Sequence, residues 1–216
     1  MRGITIITDT NTVHTGYDLD LVQEVRDIGA PEVQSYLVEV PGRNGLLNLT
    51  KGLTGSVTYK NRTLKFQYLG SGNREDLLEV ETLFKSYHGE VIQVVDDDTP
   101  NYYYEGEASV NTKWSNNLLT ITLEVNANPF MERLELTSIS CLLATTTKDM
   151  TVTNEGVDVC PIVKVDGTAS IQVGTDIYTL DDGEYTIRSF LLKHGNNLLR
   201  VTGSGTLTIK YREARV

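Results

Sequence analysis

The sequence predicts a mainly β protein in two parts, an α+β N-terminal part with one helix and an all-β C-terminal part. Short segments in which apolar and polar residues alternate run through most of the 216 residues. One stretch, near residues 73–88, instead has apolar residues at helical spacing. From residue 134 onward, turn residues recur at short intervals, a pattern typical of a small β-sandwich.

Composition restricts the function. Hydrophobic residues make up 39% of the chain, and no apolar run approaches the ~18 residues of a membrane helix. The N-terminus lacks the apolar core of a secretory signal. We therefore expect a soluble protein, assembled inside a cell and without a membrane partner. The net charge of −10 argues against a broad face that binds nucleic acid.

The negative charge is uneven along the chain. Residues 130–216 hold 11 acidic and 9 basic residues, a net of −2. The whole chain has 29 acidic and 19 basic residues, which leaves 18 acidic and 10 basic residues for 1–129, a net of −8.

The chain has two cysteines, Cys141 and Cys160, which are too few for a disulfide scaffold or a four-cysteine zinc site. We expect two small buried apolar residues, with a disulfide as the less favoured alternative.

The N-terminal strands are predicted from short apolar runs bounded by turn residues. Ile4–Thr8 is a first strand, and a polar loop follows over residues 11–16. Leu21–Ile28 and Val33–Val40 flank a turn and are expected to pair as a hairpin. Ser56–Thr58 and Leu64–Leu69 follow, and alternation places Leu64, Phe66 and Tyr68 on one face.

The helix is predicted over Asn73–His88. Asn73 is a good N-cap, and the helix dipole favours the acidic residues of the first turn. Gly89 is expected to end the helix in the left-handed conformation. An apolar stripe, expected to lie on a sheet, contains Leu77, Val80, Leu83, Phe84 and Tyr87.

Three further strands complete the N-terminal part. Val91–Val95 and Tyr102–Ala108 form a hairpin whose tip is Asp96–Asp98, and Ser109–Trp114 leads into Leu118–Asn126. In the last strand, residues 119, 121, 123 and 125 are all apolar and are expected to face inward.

A domain boundary is predicted at Asn126–Phe130, where asparagine and proline interrupt the strand pattern. The predicted domains are residues 1–128 and 129–216. Turns are expected in the second domain at residues 154–156, 166–167, 181–183, 195–197 and 203–205.

No residues with catalytic spacing are found, so an enzyme is not expected. His14, His88 and His194 have no partner at metal-ligand spacing, and the common hydrolase and nucleotide-binding motifs are absent. Asp96–Asp98 could bind calcium, but a hairpin tip is the better interpretation. Tyr102–Tyr104 and Trp114 could form an aromatic platform, although packing is the simpler explanation. We predict no catalytic, cofactor-binding or metal-binding residue.

The segment Tyr36–Thr50 contains the candidate functional loop. Pro41-Gly42 and Asn44-Gly45 are two turn signals separated by Arg43 alone. We interpret Pro41, Gly42, Arg43, Asn44 and Gly45 as an assembly loop, whose arginine pairs with an acidic residue on its own or a neighbouring subunit. An ordinary turn with a solvated arginine is the alternative.

Several motifs together resemble one protein family. The string VPGRNGLLNL at residues 40–49, FKSYHG at 84–89 and YYYEG at 102–106 resemble the distal tail proteins of long-tailed phages. The segments NPF at 128–130, PIVKVDG at 161–167 and the C-terminal LLKHGNNLLRVTGSGTLTIKYR are also similar to that family. The resemblance covers nearly the whole chain.

The resemblance implies a structural role without catalysis, in a phage or prophage virion assembled in the host cytoplasm. Such proteins form a hexameric ring at the tail tip, built by the N-terminal domains, with galectin-like C-terminal β-sandwiches. The ring joins the tail tube to tail-tip, baseplate or receptor-binding proteins that attach to the host. DNA leaves through the central channel without specific binding.

Other function classes remain open. A tail-tube or other tail-tip subunit is the nearest. A carbohydrate-binding module of a tail or cell-surface assembly is the second hypothesis, but residues 130–216 contain no tryptophan on which a sugar could stack. A cell-wall hydrolase is the third, and it lacks a convincing acid–base pair.

Overall fold

The chain forms two compact units. The computed structural model describes residues 2–42, 44–50 and 57–216. The first unit extends to Met131 and includes Val216, and the second comprises Glu132–Arg215. The predicted domain boundary, after residue 128, falls just before this division.

The first unit is built on one antiparallel sheet with the strand order β2-β1-β9-β10-β11-β8-β3. Its inner face is apolar, because alternate residues of β8 and β11, such as Phe66 and Ile121, are fully buried. Two short ladders, β4–β7 and β5–β6, lie outside this sheet. The strands are β1 (Ile4–Ile7), β2 (Thr12–His14), β3 (Val22–Ile28), β4 (Val33–Gln34), β5 (Leu37–Val38), β6 (Leu47–Asn48), β7 (Thr58–Tyr59), β8 (Arg62–Ser71), β9 (Val91–Asp96), β10 (Tyr102–Ser115) and β11 (Leu118–Ala127).

Helix α1 (Arg74–Ser86) packs on this core through the predicted stripe. The Asn73 side chain accepts a hydrogen bond from the backbone N–H of Glu75, which confirms the predicted N-cap. Gly89 has φ +83°, the left-handed conformation expected after a helix end. Leu77 and Phe84 are buried, so the stripe forms part of the hydrophobic core.

Glu81 links the helix to strand β10 through a buried carboxylate. Its oxygens accept hydrogen bonds from Thr112 Oγ1 at 2.6 Å and from Trp114 Nε1 at 3.0 Å. Lys85 Nζ lies 2.8 Å from Glu81 Oε1, one helical turn away. The hydrogen bond from Lys85, followed by those from Thr112 and Trp114, lowers the pKa of Glu81 to about 2.

We expect acid to weaken this link. The pKa of Glu81 is lower in the folded protein than its ordinary value of 4.5, so its stabilisation is present above that value. It is lost as the pH falls from about 4.5 towards 2. Urea unfolding followed by Trp114 fluorescence should therefore show a smaller pH dependence in Glu81→Gln than in the wild type. Exposed Glu79→Gln is the control, and an equal effect of both substitutions would contradict the prediction.

The second unit is a six-stranded antiparallel sheet centred on the long strands β15 and β18. The first half of β18 pairs with β14 and its second half pairs with β13. Val163, Val165, Leu207 and Ile209 are fully buried in the core of this unit. The six strands of this sheet are β13 (Thr137–Leu143), β14 (Lys148–Asn154), β15 (Ile162–Val173), β16 (Asp176–Leu180), β17 (Gly183–Thr186) and β18 (Gly195–Tyr211). Two short strands, β12 (Met131–Arg133) and β19 (Ala214–Arg215), pair with each other and are not part of it.

Three predicted turns of the second unit are wrong, because they lie inside these long strands. Residues 166–167 belong to β15, and residues 195–197 and 203–205 belong to β18. Gly167 is paired with Gly205, and both have positive φ. Glycine in a sequence often indicates a turn. In this sheet the paired glycines instead allow the backbones of β15 and β18 to approach closely within the ladder.

The predicted hairpin in the first unit is also wrong. Leu21–Ile28 does not pair with Val33–Val40, because β3 pairs with β8, which offers a much longer ladder. The following segment is divided between β4, paired with β7, and β5, paired with β6. The loop predicted at residues 11–16 contains the short edge strand β2, which is too polar to show alternation.

The two cysteines differ from expectation in their burial. Cys141 and Cys160 are free thiols, and both are only partly buried. Each lies near a backbone carbonyl oxygen, that of Leu142 for Cys141 and that of Ile187 for Cys160. The expectation of two buried residues is therefore wrong.

Candidate assembly interface

The candidate loop connects the two strands of a small ribbon, β5–β6. Gly42 and Gly45 have φ of +82° and +80°, and a Cβ atom on either would meet nothing within 4 Å. The sequence places glycines here because the backbone turns through the left-handed region. Pro41, Gly42, Asn44 and Gly45 are described and exposed. Arg43 lies outside the described residues.

The strands of this ribbon are short but joined by specific hydrogen bonds. Leu37 pairs with Asn48, and Val38 pairs with Leu47. Beyond this ladder, the N–H of Leu49 donates to the carbonyl oxygen of Tyr36 at 2.9 Å. The N–H of Tyr36 donates to Thr50 Oγ1, also at 2.9 Å. These bonds fix the register of the ribbon.

The ribbon exposes apolar side chains on both faces. Leu37 and Val38 are neighbours and point to opposite faces, yet they are 51% and 44% exposed. Tyr36 and Leu46 are 40% and 56% exposed. The alternation of Tyr36, Val38 and Val40 with Leu37 and Glu39 in the sequence predicts a half-buried strand, and this prediction is wrong. A cluster of this kind is typical of a surface that another protein covers.

Edge strand β3 adds a second exposed segment in the same unit. Within the described residues β3 pairs only with β8, so its other edge has no partner strand. Val22 and Val25 are exposed on it. An edge of this kind can accept a neighbouring chain.

The acidic tip at residues 96–98 is occupied by contacts within the unit. Asp96 is buried and accepts a hydrogen bond from Arg26 Nε at 3.0 Å. Asp97 accepts from the N–H of Gly3 at 2.8 Å, and Asp98 is paired with Arg2 and Arg26. Within the described part of the chain, no group of His, Cys, Asp and Glu could hold a metal ion. The tip is thus a structural turn.

The three histidines make local structural contacts. His14 Nδ1 accepts from the N–H groups of Gly16 and Tyr17, so its Nε2 carries the proton and donates to Asp97 at 3.1 Å. His88 Nδ1 accepts from the N–H of Val110 at 3.0 Å. His194 Nδ1 lies 3.1 Å from the carbonyl oxygen of Gly156.

The aromatic residues considered for a platform are mostly packed. Tyr103 and Tyr104 are buried, and Tyr102 is partly buried. Trp114 is bound to Glu81, and the guanidinium of Arg74 lies 4.9 Å from its ring centroid. Among the described residues, no helix is long and apolar enough to cross a membrane.

Comparisons with known proteins give a likeness of fold. No protein-family model and no curated protein sequence matches the chain. Among solved structures, the chain is similar to the SPP1 Dit protein (gp 19.1), described as a paradigm of hub adsorption apparatus in phages that infect Gram-positive bacteria. The TM-score is 0.65 at 15% identity, over 97% of this chain and 98% of that one. The chain therefore has the mainly β fold of this distal tail protein, and the resemblance predicted from the sequence is confirmed at the level of fold.

Proposed function

We propose that the chain is a structural subunit of the tail tip of a long-tailed phage or prophage. In this role it joins the tail tube to the tail-tip or baseplate proteins and receptor-binding proteins that attach to the host. The observation that carries the proposal is the likeness to SPP1 Dit over nearly the full length of both chains. The sequence motifs along the chain support it independently. The role requires no catalysis and no cofactor.

In the proposed role, the subunit assembles into a hexameric ring through its N-terminal unit. The exposed ribbon supports a contact with a second copy, since a two-stranded ribbon with apolar residues on both faces is marginally stable alone. Burial of Leu37 and Val38 against a neighbour would stabilise both the ribbon and the ring. The free edge of β3 supports a head-to-tail arrangement, which closes into a ring.

The ring of this proposal surrounds a channel through which duplex DNA passes without specific binding. The N-terminal part carries a net charge of −8 and would form the ring. Like charge on protein and phosphate discourages adhesion of the DNA to the wall.

Negative-stain microscopy of the purified protein tests the proposal. A six-fold ring with a hole wide enough for duplex DNA is expected, and a purely monomeric or filamentous protein, alone and with tail-tube protein, would contradict it.

Reversal of the charge of Arg43 is expected to impair assembly more than subunit stability. The proposal places this arginine against an acidic residue of a neighbouring subunit, so Arg43→Glu would create like-charge repulsion in the ring. We expect the ring fraction, measured by light scattering, to fall about tenfold or more.

The matched control is Lys148→Glu, which reverses an exposed lysine in the C-terminal unit. Thermal unfolding of both variants should remain close to that of the wild type. Normal ring formation by Arg43→Glu would favour the alternative of an ordinary turn with a solvated arginine.

A further inference from the structure

Asn44 and Gly45 form the only asparagine–glycine pair in the sequence. Both residues are exposed, and they lie between strands β5 and β6. Among the described residues, the Asn44 side chain has no hydrogen-bond partner and the N–H of Gly45 has no acceptor. The side-chain amide and the following backbone nitrogen are therefore free to react with each other and with water.

Other asparagine side chains are held in place. Asn154 is fully buried, and its amide nitrogen donates to the carbonyl oxygens of Val157 at 2.8 Å and Leu192 at 3.0 Å. Asn48 is exposed like Asn44, but its Oδ1 accepts a hydrogen bond from the N–H of Thr50 at 2.9 Å. Such bonds oppose the rotation that would bring the amide against the next backbone nitrogen.

Gly45 removes the steric obstacle to this reaction. The attacking nitrogen belongs to the residue after asparagine, so a side chain on that residue hinders its approach. Gly45 has φ +80°, and a Cβ atom there would meet nothing within 4 Å, so the space around it is open. Attack by a group in the same chain is also strongly favoured over attack by a group in solution.

We infer that Asn44 is a site of spontaneous deamidation, with water as the only co-reactant. The nitrogen of Gly45 loses its proton to the solvent and attacks Asn44 Cγ, so that a new C–N bond closes a succinimide ring. The bond from Cγ to the side-chain nitrogen breaks, and this nitrogen takes up a proton and leaves as ammonia. Water then opens the ring at either carbonyl and gives aspartate or isoaspartate. The reaction involves no oxidation or reduction.

The product adds a negative charge to the candidate assembly loop. The neutral amide becomes a carboxyl group, which is ionised at neutral pH. The consequence for assembly rests on the proposed function, in which this loop contacts a neighbouring subunit. A modified subunit would bring an unmatched charge to that contact. Deamidation of free subunits would thus reduce the number that can assemble.

Peptide mass spectrometry tests the modification in the full chain. The purified protein is incubated at neutral pH, and conversion at Asn44 is compared with that in a synthetic peptide of residues 40–49. We expect aspartate and isoaspartate at a rate within about tenfold of that of the peptide, and faster conversion in mildly alkaline buffer. Asn117 is the internal control and should stay unmodified, because it is exposed but precedes the bulky Leu118.

Two substitutions locate the reaction. Gly45→Ala should slow conversion by about tenfold or more, because its Cβ atom obstructs the attack, and the open space around Gly45 allows the variant to fold. Asn44→Gln should abolish conversion at this position, since its longer side chain closes a larger ring less readily. A rate in the folded protein below the expected range, or equal rates in the wild type and Gly45→Ala, would overturn the inference.

Ring formation tests the consequence for assembly separately. Asn44→Asp carries the charge of the product and is expected to lower the ring fraction, measured by light scattering, by about threefold. Asn117→Asp adds the same charge to the turn between β10 and β11 and should assemble like the wild type. Equal assembly of the two variants would overturn this consequence. Absence of rings in the wild type would instead contradict the proposed function, and the mass-spectrometric result at Asn44 would be unaffected.

Discussion

Gly205→Ala is expected to destabilise the C-terminal unit by about 3–5 kcal/mol, the sum of backbone strain and overpacking. A Cβ atom at Gly205 would lie 1.8 Å from the carbonyl oxygen of Asp166, on the paired strand β15. Its φ of +95° is also one that alanine rarely adopts. Because the obstructing atom belongs to the backbone, neither strand can move aside without breaking the ladder.

The neighbouring glycines show why position 205 does not tolerate a side chain. A Cβ atom at Gly203 would lie 2.0 Å from the carbonyl oxygen of Thr168, and one at Gly167 would lie 2.3 Å from that of Ser204. The three glycines are adjacent across β15 and β18, where β18 changes its second partner from β14 to β13. The close approach is therefore part of how the sheet is connected.

Two probes separate this effect from general damage. Trp114 is the single tryptophan and lies in the first unit, so its fluorescence reports on that unit alone. Far-ultraviolet circular dichroism reports on both units. For Gly205→Ala we expect an earlier unfolding transition by circular dichroism and an unchanged transition by fluorescence.

The control is the same substitution at Gly174, in the turn between β15 and β16. Gly174 has φ +60°, but a Cβ atom there would meet nothing within 4 Å. Gly174→Ala should therefore cost only about 1 kcal/mol, the strain of the left-handed backbone. Similar losses at the two positions would show that the contact with Asp166 is not what constrains Gly205.

Replacement of Leu37 and Val38 by aspartate is expected to abolish the proposed ring while leaving the subunit folded. Apolar anchors at the centre of an interface each contribute about 2 kcal/mol or more. Two new charges would also remain unpaired if the ribbon were buried against a neighbour. Both residues are already exposed in the subunit, so the free energy of unfolding should change by only about 0.5 kcal/mol.

Light scattering and negative-stain microscopy measure the loss of the ring. The matched control places aspartate at Leu142 and Ile177, which are 72% and 64% exposed in the C-terminal unit. This control should retain the ring. If the ribbon variant still forms rings, or if both variants lose them, the ribbon is not the specific contact between subunits.

The longer strands and the helix of the first unit could be predicted because each carries its own local signal. Strand β11 alternates strictly, and its apolar residues are buried as expected. Helix α1 has a cap, a stripe and a terminating glycine, all within one short segment. These patterns depend on neighbouring residues along the chain, so the fold class and the helix were accessible without coordinates.

Which strands pair with one another could not be predicted from such local patterns. The run from Leu21 to Ile28 has the same composition whether it pairs with the next segment or with β8. The choice depends on which ladder is longer in three dimensions. Glycines at 203 and 205 likewise signal positive φ, but only the register with β15 shows that they lie inside a strand.

The same distinction between local sequence patterns and tertiary structure applies to the candidate surfaces. The sequence by itself determined the mainly β class, the helix and the two turns around residue 43, because these follow from local periodicity and backbone preference. Only the tertiary structure decided that Leu37 and Val38 are exposed and that Glu81 accepts hydrogen bonds from Thr112 and Trp114. Burial and hydrogen bonding depend on segments that are distant along the chain, and folding alone brings them together.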